Sequence, residues 1–237
     1  MKSICFIFLV VTAICVADPN NVLLHFDKYA GYGNAVMYAI EDVWPGTTVT
    51  AVEGGDWVTF NSALASESFD VIILENWKSN SDACDWATLL YVYNVTDTRI
   101  FLADWRLNFG STGVQDLMAA MGVSGAAVNA TILPHYGWEP SHEICAGVSD
   151  WTQADPVLAI YSNDLTVTDA SPVTGWTVSV TAGMAGICVA NDGVSIISGY
   201  TPAYSVESSV IWENILEFMG EGLVLEQSTW ADIKASF

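Results

Sequence analysis

Basic residues are scarce in this chain. Six Lys and Arg stand against 27 Asp and Glu, a formal net charge of −21. Such a field repels phosphate backbones and anionic lipid surfaces, which argues against nucleic-acid binding and against attachment to acidic membranes. It favours cationic partners and keeps a protein in solution. Charge of either sign is sparse too, at 14% of residues, while apolar residues reach 52%; disorder requires the reverse balance. Past the first 17 residues no apolar run reaches the ~20 residues that cross a bilayer. There is no internal repeat, linker or low-complexity stretch, so the 237 residues read as one domain. Cysteine beyond the N-terminus is limited to Cys84, Cys145 and Cys188. An odd number that small excludes a disulfide framework and permits at most one pair, with the pairing open.

What is present begins with a leader. Lys2 is followed by an apolar run from Ile4 to Val16 and by Ala17-Asp18-Pro19, the pattern of a cleavable secretory signal over residues 1–17. The reading that follows is a secreted protein, extracellular or at the cell surface, with a single α/β domain over 18–220 and a short tail over 221–237. Without its leader the chain carries 27 acids and 5 bases, net −22. Asn-x-Thr triplets at Asn94 and Asn129 occur no more often than chance provides.

Strand-like and helix-like segments then alternate. Val22–Phe26, Thr47–Val52, Phe69–Leu74 and Arg99–Ala103 read as strands, and the unbroken apolar runs of the last two predict burial on both faces. Asn34–Trp44, Trp57–Ser66, Ser81–Tyr93 and Thr112–Met121 read as helices, with Asp56 as an N-cap and Thr112/Gln115 as a capping box. After Gly122 the texture changes to short strands at Asn129–Leu133, Leu165–Thr168, Trp176–Thr181, Gly186–Ala190 and Val194–Ser198. Asn191-Asp192-Gly193 marks a hairpin, and Ser208–Met219 is a closing helix. The sum is an α/β protein of three layers, its mainly parallel sheet extended by antiparallel strands in the C-terminal half.

Strand Val71–Leu74 after Phe69-Asp70, strand Arg99–Ala103, the stretch His142-Glu143-Ile144 to Gly147-Val148, and Ala190–Gly193 before a closing helix resemble the class I glutamine amidotransferase-like group of flavodoxin-like α/β folds. The resemblance covers about Val22 to Met219 and implies a flavodoxin-like order in which the first, third and fourth strands are neighbours. It also implies a nucleophilic Cys on the turn after Arg99–Ala103 and a His-x-Glu pair near the end of the sheet. Here that turn is Asp104-Trp105-Arg106-Leu107-Asn108, and His142 and Glu143 are adjacent. The chain reads as a secreted relative lacking the catalytic Cys.

Ligands of open parallel sheets bind beyond the carboxyl ends of the strands. Asp27, Glu75 and Asp104 occupy those ends. They are candidates for Ca²⁺ ligation or for paired acid/base work, with Arg106 to steady an anion and His142 nearby; no other cofactor is expected. His135 and His142 fall in an expected loop over the crevice, and the pattern His-Glu-x-x-His fails at Ala146. The turn Tyr29–Gly33 offers amides before a helix but lacks a P-loop Lys. Trp77, Trp105 and Trp138 in loops, and Trp230, Ile233 and Phe237 at helical spacing in the tail, are candidates for carbohydrate stacking or an interface. Three function classes follow. The first is a non-catalytic structural or binding protein, self-associating into a homo-oligomer or polymer. The second is a hydrolase using the strand-end carboxylates. The third is a cation-dependent adhesive or ligand-binding domain.

Overall fold

The computed structural model describes residues 18–27, 34–129, 134–152 and 162–221. The expected leader, the Tyr29–Gly33 turn, and Trp230, Ile233 and Phe237 of the tail lie outside the described residues.

The first half alternates as its periodicity dictates: β1 (Asn21–Phe26), α1 (Ala35–Val43), β2 (Thr48–Glu53), α2 (Trp57–Ser66), β3 (Val71–Asn76), α3 (Trp86–Val95), β4 (Arg99–Asp104) and α4 (Thr112–Ala120). Asp56 caps α2 by accepting the Thr59 N–H at 3.1 Å, and Asp85 caps α3 in the same way through Thr88; such caps contribute about 1 kcal/mol each. Asp85 also corrects the third helix, which splits into a 3-10 turn at Ser81–Ala83 and a restart at Trp86. The capping box is a second correction. Ser111, not Thr112, precedes α4 without a side-chain cap bond, and the Gln115 amide donates instead to the Leu107 carbonyl at 2.6 Å.

The second half is built from shorter pieces: β5 (Val123–Asn129), β6 (His135–Gly137), β7 (Asp150–Trp151), β8 (Ser162–Val167), β9 (Ser171–Pro172), β10 (Thr174–Gly175), β11 (Ile187–Val189), β12 (Ile196–Ser198) and α5 (Ser208–Gly220). The hairpin at Asn191-Asp192-Gly193 joins β11 to β12, with Gly193 at φ +79°. The strand expected over Trp176–Thr181 is absent. Pairing stops at Gly175, the Trp176 indole turns inward to the Asn163 carbonyl at 3.1 Å, and Val178 and Val180 are exposed, with no strand among the described residues beside them. β5, whose Gly and Ala residues give little β signal, pairs antiparallel with β8; the strand expected at Asn129–Leu133 lies, apart from Asn129, outside the described residues.

Seven strands form the main sheet in the order β2-β1-β3-β4-β12-β11-β9. Pairing is parallel from β2 through β12 and antiparallel at β11 and β9. Every residue of β3 and β4 is buried, as their unbroken apolar runs require. One apolar cluster joins the sheet to α1 and α5, and the other joins it to α2, α3 and α4. This is a three-layer, flavodoxin-like α/β arrangement. No helix among the described residues is long and apolar enough to cross a membrane.

Candidate functional site

Strands β1, β3 and β4 end side by side, as the resemblance to flavodoxin-like folds implies. Phe26 pairs with Glu75, Glu75 with Ala103, and Asn76 with Asp104. Side chains alternate across a pleated sheet. Phe26 and Ala103 belong to the α1/α5 cluster, so Glu75, in register with them, faces that layer. Asn76 and Asp104, one residue on, face the opposite way. The pleat thus sends the three expected carboxylates to different sides of the sheet.

Each is buried and occupied. Asp27 turns back on the chain after β3: its carboxylate accepts the N–H groups of Trp77, Lys78 and Ser79 at 2.9–3.1 Å and the Ser79 hydroxyl at 2.6 Å. Asp104 accepts the Arg106 N–H at 2.8 Å and the Asn76 amide at 3.0 Å. Burial pushes its carboxyl up to about 6, against hydrogen bonds from Ser81, Arg106 and Asn76. Glu75 accepts one N–H, from Ala203 at 3.2 Å, and its Oε2 has no partner. Burial pushes it up to about 8, opposed by the Ala203 N–H and reinforced by Asp27, so it is a neutral acid at pH 7. Among the described residues no three His, Cys, Asp or Glu side chains converge on a metal-binding geometry.

The other candidates are also held by the fold. The Arg106 guanidinium pairs with Asp82 at 2.9 Å and lies 5.2 Å from the Phe109 ring. His142 caps the 3-10 turn Glu143–Cys145 by accepting the Ile144 N–H at 3.3 Å, and its ring meets Phe218 of α5. Burial lowers its pKa, with Glu143 and Glu139 opposing. It lines a cleft with Pro172 of the edge strand, and none of its described contacts is to a strand-end carboxylate. Trp77 is buried edge-on against Tyr204. The half-buried Trp105 and Trp138 donate their indole N–H to the carbonyls of Ser79 at 3.0 Å and Thr177 at 2.7 Å.

His135 corrects an expectation. It lies in β6 rather than in a loop over the crevice, fully buried, stacked on Trp176 at 4.6 Å and flanked by Trp151 and Tyr200. Burial pushes its pKa down to about 3. His25 is equally buried, stacked on Trp57 at 4.1 Å. Cys84, Cys145 and Cys188 are all buried and free. No local pattern marks Ser79, Asn76 or Ala203 in the sequence, because each meets its carboxylate only through the tertiary fold.

No family model matches the chain, and no curated protein matches it in sequence. Solved structures do resemble it. A protein described as a GMP synthase subunit, from Thermoplasma acidophilum, aligns over 92% of this chain and 98% of its own, at 9% identity and a TM-score of 0.54. The likeness is one of fold. PurLQS from Thermotoga maritima aligns over 85% of this chain and 99% of that one, at 9% identity and a TM-score of 0.47. A ThuA-like protein from Parabacteroides merdae aligns over 88% and 92%, at 11% identity and a TM-score of 0.48. Residues Asp104–Asn108 contain no Cys or Ser, and the segment leaving β12, Gly199-Tyr200-Thr201-Pro202-Ala203, contains neither His nor Glu.

Proposed function

We infer that this chain is an exported, non-catalytic relative of the glutamine amidotransferase-like α/β proteins, acting as a binding or structural module through its surface. The observation that carries the reading is the inward commitment of the strand-end groups. Asp27 and Asp104 brace loops, Glu75 faces the opposite layer as a neutral acid, and no nucleophile stands on the β4 turn. Without a nucleophile and a base within reach of each other, acyl transfer has no starting point. Export is supported by the Lys2-to-Ala17 pattern, and self-association outside the cell remains part of the reading.

A hydrolase is the second reading, favoured by the raised pKa values of Glu75 and Asp104, since unequal carboxyls often mark acid/base pairs. Their placement on opposite sides of the sheet weighs against it. The test is turnover by the purified mature protein: ammonia release from glutamine, and hydrolysis of chromogenic esters and glycosides. The expected result is background rates throughout. A rate above background that Asp104→Asn abolishes would overturn the non-catalytic reading. Electron microscopy of the same sample, with and without Ca²⁺, separates a self-assembling protein from a dispersed binding module.

A further inference from the structure

Helices α1 and α5 lie side by side over one face of the sheet, and the seam between them is acidic along its length. A cleft of about 510 Å³ at the C-terminal ends of both helices is ringed by Asp18, Asp42, Glu213, Glu217 and Glu221. A second hollow, of about 280 Å³, continues toward their N-terminal ends and shares Asp42 and Glu213 with the first. Glu213 and Glu217, four residues apart, lie on one face of α5, where like charges repel, and Glu221 follows directly after the helix in an extended conformation. Helix C-termini carry the negative end of the macrodipole and favour cations, yet neither helix has a basic residue in its last turn. The guanidinium of Arg99 reaches the backbone carbonyls of Met219 and Glu221. Among the described residues none of the five acids makes an ion pair.

A second observation points to a ligand. Trp44 lines the same cleft and is 2% exposed, and its indole N–H has no acceptor among the described residues. Gly220 faces it: a Cβ there would stand 3.0 Å from Trp44 Nε1. The missing side chain leaves the N–H open at the floor of the cleft. The seam thus offers one fixed hydrogen-bond donor among several negative charges. A simple cation has no use for the donor, and an anion is repelled by the walls. A peptide bearing lysine or arginine supplies both complements, a backbone carbonyl and side-chain cations.

We propose that the α1–α5 seam is a docking groove for a lysine- or arginine-bearing segment of a partner protein, with a main-chain carbonyl on Trp44 Nε1 and basic side chains against Asp42 and Glu213. Cleavage after Ala17 brings one α-ammonium to the rim at Asp18, which leaves carboxylates in excess. The proposal stands whether or not the strand ends are catalytic, so its failure and the failure of the non-catalytic reading are separate results.

Calorimetric titration of the full mature chain with a synthetic peptide of alternating lysine and alanine tests it. Saturable binding is expected, weakened by salt. The double variant Asp42→Asn/Glu213→Gln should lose about tenfold in affinity, as two exposed ion pairs are removed. Gly220→Ala should also weaken binding while net charge stays the same. Glu67→Gln/Asp116→Asn, on the opposite layer, should leave it unchanged. Absence of binding at low salt, or equal weakening by both double variants, would overturn the groove. Binding that emerges only when residues 222–237 are removed would overturn the partner, making the chain's own Lys234-bearing tail the occupant.

Discussion

Glu75 makes stability depend on pH in a way that can be calculated. Its carboxyl has an ordinary value of 4.5 and is raised to about 8 in the folded protein. A carboxyl raised on folding keeps its proton longer in the native state than in the unfolded chain. Its contribution is therefore complete below pH 4.5 and is lost as pH rises through the folded value. The slope is about 1.4 kcal/mol per pH unit, so the loss reaches about 3 kcal/mol at pH 7 and about 5 kcal/mol above pH 8. Glu75→Gln abolishes the titration. The amide oxygen still accepts the Ala203 N–H, and the amide nitrogen takes the place of Oε2, which has no partner. Any cost of that exchange is independent of pH. Urea unfolding of both proteins from pH 4 to pH 9 should give a stability difference, variant minus wild type, that rises by about 3 kcal/mol between pH 4.5 and pH 7 and levels off above pH 8. Taking the difference cancels Asp104 and the histidines. A difference that stays flat across the range would mean Glu75 is ionised in the native state, and the neutral-acid account of the site would be wrong.

Asp27→Asn should destabilise by about 2–3 kcal/mol in the same assay, since a charged acceptor of the Trp77–Ser79 amides becomes a neutral one. It should also lower the pH at which the Glu75 effect levels off, because Asp27 reinforces that rise. Cys84, Cys145 and Cys188 should be silent toward a thiol reagent in the native protein and should all react in urea, for burial raises each thiol, Cys145 to about 11 and Cys188 to about 12; native labelling would contradict their burial. Gly186→Ala should cost about 3 kcal/mol or prevent folding, because a Cβ there would lie 1.7 Å from His135 Nε2 in a ring cluster that cannot yield; a thermal midpoint near that of the wild type would refute this packing.

The strand-end carboxylates show which parts of a site can be read from a sequence. That Asp27, Glu75 and Asp104 end adjacent strands followed from unbroken apolar runs and from the resemblance, and the observed order β1-β3-β4 agrees. What they do there did not follow. Asp27 is taken up by Trp77–Ser79 and Glu75 by Ala203, partners about 50 and 128 positions away, and no local period encodes such contacts. The pleat was nonetheless available in principle: Glu75 lies one residue before the level of Asp27 and Asp104, and a period of two sends it to the other side. The C-terminal half was less legible for a different reason. Its strands are two to seven residues long, and its Trp176–Thr181 stretch alternates like a strand but pairs with no strand among the described residues. The seam of α1 and α5 reverses the lesson. The four-residue spacing of Glu213, Glu217 and Glu221 stood in the sequence, but only the packing of the two helices shows that Asp42 and Trp44 complete the same groove. In a chain this acidic a lone carboxylate carries little information. The informative ones are those the fold gathers into one groove.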